Sequence, residues 1–171
     1  MDKVQLLKDL ERTTRELLQV LDEFTNEQFN RLPFEGSWTA GQVADHLFRA
    51  ERGAPALMTG NTKQTTRDPE QFVKPLDDVF LDFSTKMKSP DFILPSDGPH
   101  DQAEYYNKFE ATRKNIQQLA AKLDLTETCT EFDMPKIGHM TRFELLRFTV
   151  AHSTRHIRQL NNIHSHVIAK K

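Results

Sequence analysis

Residues 143–163 read FELLRFTVAHSTRHIRQLNNI, an apolar and polar alternation with no proline or glycine to interrupt a helix. Thr141 and Glu144 form a capping box at its start, so the helix has a defined origin. Within it His152 and His156 stand four residues apart. On an α-helix that spacing leaves two side chains about 40° apart around the axis and roughly 6 Å along it. Both imidazoles can then reach one point, as two ligands of a metal ion must. A pair is not a site, and the rest of the chain has to supply a third donor.

Working outward, residues 3–30 read as one long amphipathic helix. Val4, Leu7, Leu10, Thr14, Leu17, Leu18, Leu21 and Phe24 recur at three- and four-residue spacing. Pro33 and Gly36 break the pattern, and a second helix starts at the Thr39–Gln42 capping box. Val43, His46, Leu47 and Ala50 share one face of it, so His46 points where the core residues point. Residues 52–98 are irregular and hold five prolines, with one short helix expected from Leu76 to Met87. A connection of that length is a crossover or a lid rather than slack. A third long helix is expected from Pro99 to Leu123, burying Ala103, Tyr106, Phe109, Ile116, Leu119 and Leu123. Residues 124–138 form a connector, and the lysine pair at 170 and 171 reads as a frayed tail. No repeat and no strand-like alternation is present. The fold expected is all-α: one four-helix bundle domain over residues 1–171, with a long crossover between helices 2 and 3.

The bulk properties narrow the function. A net charge of −2 gives no electrostatic ground for nucleic-acid binding. Arg142, Arg147, Arg155 and Arg158 are expected to form a solvated face. There is no run of about 18 apolar residues to span a membrane, and the N-terminal MDKVQLLKDLERTTRELL lacks the features of a signal peptide. Cys129, the one cysteine, excludes an intrachain disulfide, so the cytoplasm is the expected compartment. It has no cation or helix start beside it to make it a nucleophile. No Ser-His-Asp pattern or P-loop occurs.

Of the seven histidines, His46, His152 and His156 fall on helix faces that meet inside a bundle. Three buried rings each bring a nitrogen that needs a partner. Three imidazoles with an open position is the catalytic rather than the structural pattern for zinc, and suits nickel and iron as well. His100, His164 and His166 read as surface residues. His139 reads as a solvated turn histidine, with an acid or base at the site mouth as the second reading. Asp45 points about 100° from His46 and is not expected to be a ligand. Trp38 reads as bundle-end packing before pocket wall, and Gln159 as packing before a group that orients a ligand. No acid or base residue is identified.

The segments SWTAGQVADHLFRAE (37–51), ILPSDGP (93–99) and MPKIGHMTRFELLRFTVAHSTRHIRQL (134–160), in that order, resemble the DinB superfamily of DinB/YfiT-like metalloenzymes. That resemblance implies an up-down-down-up bundle and makes His46, His152 and His156 the ligands of one divalent ion. It implies nickel or zinc most often, with iron or manganese in some members. It further implies a small-molecule substrate and transfer chemistry with a low-molecular-weight thiol such as bacillithiol or mycothiol. Metal-assisted hydrolysis is the alternative, and a non-catalytic homodimer binding metal or a small ligand is the rival.

Overall fold

The computed structural model describes residues 1–169; the expected lysine tail at 170 and 171 lies outside them. The chain is all-α in class, and four long helices carry it: α1 (Lys3–Asp22), α3 (Ala40–Glu51), α6 (Gln102–Lys122) and α7 (Arg142–Ala169). Shorter helices are α2 (Asn26–Asn30), α4 (Ala54–Thr59) and α5 (Val73–Phe80), with a 3-10 turn at Asp91–Ile93. A two-residue ribbon, β1 (Thr62–Lys63) against β2 (Thr128–Cys129), is antiparallel and ties the crossover to the connector before α7. The sequence showed no sign of it, because two residues are too few for an alternation to register.

Caps set most helix starts. Asp2 accepts from the Gln5 amide at 2.9 Å to open α1. Thr39 and Gln42 exchange bonds of 3.1 Å and 3.1 Å at α3, the capping box expected there. The single helix expected over 3–30 is two: Thr25 and Gln28 form a further capping box that starts α2. Apolar spacing runs through this break because Phe24 and Phe29 both turn into the core, edge to face at 5.9 Å. The third long helix begins at Gln102, with Asp101 rather than Pro99 at its start: Asp101 accepts from the Glu104 amide at 2.8 Å. The short helix expected over 76–87 ends at Phe80, which leaves Phe83 and Met87 exposed.

Both α1 and α3 pack on α6 and α7. Lys3 at the start of α1 reaches the carbonyls of Ala121 and Leu123, and Gln102 at the start of α6 donates to the Leu21 carbonyl. Two apolar clusters fill the interior. One contains Leu6, Leu10, Met58, Leu76, Ile116 and Leu146, and the other Leu17, Leu21, Phe29, Leu47, Phe109 and Leu160. Each fully buried large side chain contributes about 1.5–3 kcal/mol relative to exposure. A polar layer separates them. In it Arg113, wholly buried on α6, donates to both carboxylate oxygens of Glu51 on α3, at 2.9 Å and 2.6 Å, and to the Ser153 hydroxyl on α7.

Of the four arginines of α7, Arg158 is exposed as the sequence suggested, while Arg142, Arg147 and Arg155 are drawn into contacts. Arg142 is buried and donates to the Met58 carbonyl at 2.7 Å. Arg147 makes a two-bond pair with Asp77, and Arg155 donates to the carbonyls of Asp82 and Thr85. Arg158 lies over the Phe83 ring. The charges on α7 thus hold the crossover against the bundle.

Candidate metal centre

The polar layer is where α3 and α7 face each other, and His46 on α3 meets His152 and His156 on α7. They are 4%, 5% and 7% exposed. His46 Nε2 lies 3.3 Å from His152 Nε2, and His156 Nε2 lies 3.0 Å from the same atom. One ring nitrogen from each histidine lies within 4.8 Å of the other two, and these three side chains could hold a metal ion.

The other ring nitrogens settle which way two lone pairs point. His46 Nδ1 donates to the Ile93 carbonyl at 2.9 Å, with Ser89 Oγ 3.3 Å from the same nitrogen. His156 Nδ1 donates to Gln159 Oε1 at 2.8 Å. A carbonyl oxygen only accepts, so both protons sit on Nδ1 and both Nε2 atoms carry free lone pairs. Those lone pairs converge on His152 Nε2. A single proton there can satisfy one of them well, while a cation satisfies all three nitrogens. Two nitrogens bound at about 2.05 Å stand roughly 2.9–3.3 Å apart in octahedral or tetrahedral coordination, which matches the observed separations. The donor set therefore fits a divalent ion.

Electrostatics keep the rings in the ligand form. Burial lowers the pKa of His46, against partial opposition from its bond to Ile93 and from Asp45. Burial holds His152 well below the usual range, and His156 and His46 push it the same way. Burial takes His156 down to about 3, offset in part by Gln159. Neutral imidazole is the species a metal takes up.

Aromatic rings wall the cluster. His152 stacks on Phe148 at 5.1 Å between centroids and meets the edge of Phe80 at 5.4 Å. Trp38 lies 5.2 Å from His46, so it lines the centre as well as packing on the core beneath. Gln159 likewise orients a histidine, which the sequence had offered only as its second reading. Asp45, set aside as a ligand, turns from the centre and is buried among Ser96, Tyr105 and Arg49.

One remaining histidine reads differently in the structure. His100 is buried rather than on the surface: its ring packs on Gly41, where a Cβ would stand 2.8 Å from the His100 Cβ, and on Tyr105. His139 donates to the Phe132 carbonyl and stays apart from the three. Cys129 is buried, which raises its pKa and keeps it a thiol. Sequence reasoning missed the Ile93 carbonyl, since a backbone acceptor has no residue signature. It also missed Arg113, although an arginine between Phe109 and Ile116 in the apolar register of α6 is a visible signal.

A chain of all-α class with a buried cluster of three neutral imidazoles fits a metal-binding protein. The chain belongs to the DinB superfamily, whose family model matches residues 9–160. Comparison with curated proteins and with solved structures returned no match. No helix among the described residues is long and apolar enough to cross a membrane.

Proposed function

We propose that His46, His152 and His156 hold one divalent metal ion, nickel or zinc before iron or manganese, and that the chain is a metal-dependent enzyme. The observation that carries this is the pair of Nδ1–H bonds, to Ile93 and Gln159, which aim two Nε2 lone pairs at the third imidazole. Held by these three side chains, the ion would supply Lewis-acid chemistry that lowers the pKa of an incoming thiol or water. The histidines remain neutral and unprotonated at Nε2, Phe80 and Phe148 fix the plane of His152, and the dry aromatic walls strengthen electrostatic interactions inside. From the family resemblance we infer transfer chemistry with a low-molecular-weight thiol, and metal-assisted hydrolysis as the alternative.

Elemental analysis of untagged protein tests the first step, with wild type compared to His152→Ala. Near one equivalent of metal in wild type and little in the variant is the expected result. Less than a tenth of an equivalent in wild type after metal-replete expression refutes the reading. Conjugation of a thiol to a chlorinated or epoxide electrophile then tests the reaction class.

A second reading, metal binding without turnover, is favoured by one observation. The segment carrying Ser89 and Ile93 lies against His46, and all three rings are buried. Metal content with no activity toward either substrate class would select it.

We also infer that the four long helices run up-down-down-up as a single domain. Support comes from contacts between helix ends: Lys3 meets the end of α6, Asp9 pairs with Arg147 at 3.5 Å, and Asp45 and Glu51 meet Tyr105 and Arg113 in the same order. A cytoplasmic homodimer is the assembly and location we propose, the lone cysteine fitting a reducing compartment. Light scattering tests the assembly.

A further inference from the structure

The segment between α5 and α6 lies against His46 of the histidine centre as a strap. It touches His46 through Ser89 Oγ and through the Ile93 carbonyl, the acceptor that decides which His46 nitrogen carries the proton. Upstream of Ser89, Arg155 holds it by the carbonyls of Asp82 and Thr85. Downstream of Ile93, Ser96 gives both its backbone amide, at 2.7 Å, and its hydroxyl, at 3.0 Å, to Asp45 Oδ2. The same carboxylate accepts from Arg49 at 3.0 Å and, through Oδ1, from Tyr105 at 2.9 Å. It is buried, so these bonds are made in a poorly screened place where charged hydrogen bonds are strong.

We propose that Asp45 is a positioning residue that latches the strap: by holding Ser96 it sets the Ile93 carbonyl on His46 Nδ1, and its release opens the route by which ions and substrates reach the centre. Ile93 and Ser96 are three residues apart, at most about 10 Å of extended chain, so a freed Ser96 also frees the acceptor of His46. The two latching residues, Asp45 and Arg155, each directly precede a histidine of the centre, His46 and His156. Movement of the strap and orientation of the rings are therefore linked through one or two bonds. This inference rests on the reading that the three histidines hold an ion.

The test uses the full chain with Asp45→Asn, Ser96→Ala and, as a comparison, Tyr105→Phe, which removes a bond to Asp45 but none to the strap. Zinc extraction by excess EDTA is followed from zinc-loaded protein, and the ¹⁵N shifts of His46 are read in metal-free protein. A lost charged hydrogen bond shifts an opening equilibrium by about tenfold or more. We expect Asp45→Asn to release zinc at least about tenfold faster, Ser96→Ala to move in the same direction, and Tyr105→Phe to stay within about twofold of wild type. In metal-free protein His46 is expected to carry its proton on Nδ1 in wild type and to become a tautomer mixture in Asp45→Asn. A purely structural carboxylate would change stability in all three variants without changing the tautomer. Zinc release within about twofold of wild type in both Asp45→Asn and Ser96→Ala, together with an unchanged His46 tautomer, overturns the proposal. If Asp45→Asn does not fold, Ser96→Ala decides by the same two measurements. If wild type binds no zinc, the metal reading fails, and the tautomer comparison alone decides for or against the latch.

Discussion

Acid should destabilise the metal-free protein through its buried imidazoles, and His156 sets the scale. Its ordinary pKa of 6.5 falls to about 3 in the fold, because burial penalises the imidazolium. Above pH 7 it is neutral folded and unfolded, so it has no effect on the pH dependence. Below 6.5 the unfolded chain takes up a proton that the folded chain refuses, and stability falls with pH until the folded value near 3 is reached. Between pH 7 and pH 5 the unfolded histidine goes from mostly neutral to almost fully charged. At 1.36 kcal/mol per unit, the integrated loss from this one residue is about 2 kcal/mol. His46 and His152 act with the same sign. The carboxylate of Asp45 does not contribute in this window, since its lowered pKa of about 2 matters only below the usual carboxylate range.

Urea denaturation of chelator-treated protein at pH 7 and pH 5 measures this, with His156→Gln beside wild type. The variant lacks the proton site, while His46 and His152 remain in both proteins. Wild type should lose about 2 kcal/mol more than the variant on acidification, close to 1 M in urea midpoint for a slope of about 2 kcal/mol per M. Equal losses in the two proteins would show that His156 is protonated in the fold, and would refute the claim that burial holds it neutral.

Three further outcomes are expected. Replacing Gln159 with leucine removes the acceptor of His156 Nδ1, and should weaken metal binding by about 10- to 100-fold in competition with a chromophoric chelator. Arg113→Met leaves Glu51 buried and unpaired, which should cost about 3–5 kcal/mol in urea unfolding, whereas Glu51→Leu combined with Arg113→Met should recover most of it. Adding zinc at about 100 times its dissociation constant should stabilise wild type by about 2.7 kcal/mol at pH 7, and leave His152→Ala unchanged in thermal melts.

What the sequence made legible was whatever repeats along one helix. Val43, His46 and Leu47 share a face because the α-helical period puts them there, and the same period brought His152 and His156 together. Two capping boxes were readable for the same reason, since each needs only four consecutive residues. The third, Thr25–Gln28, stood in plain view but was overrun by apolar spacing that continues across the break through Phe24 and Phe29. Contacts between elements were illegible. Arg142, Arg147 and Arg155 look solvent-facing in a helical projection, yet each has a partner brought in from the crossover or another helix. His100 looked like a surface residue because its burial depends on Gly41 in a distant helix giving it room.

The placement of the histidines gains its sense from the layer they occupy. Two apolar clusters would suffice to hold four helices together, but the layer between them carries Thr13, Glu51, Arg113, Ser153 and the three histidines. A buried arginine–glutamate pair contributes little net stability, because desolvation offsets most of its attraction. What it does supply is a fixed register of α3, α6 and α7, since any slip of one helix breaks two bonds from Arg113 to Glu51 and a third to Ser153. Ser153 directly follows His152, and Glu51 lies five residues after His46. The pair therefore locks the two helices that bear the imidazoles at the level where those imidazoles meet. Burial keeps the rings neutral there, with Phe80, Phe148 and Trp38 packed against them. A fold stabilised only by apolar packing would tolerate the small sliding that destroys a three-nitrogen centre, so the buried ion pair and the centre make structural sense together.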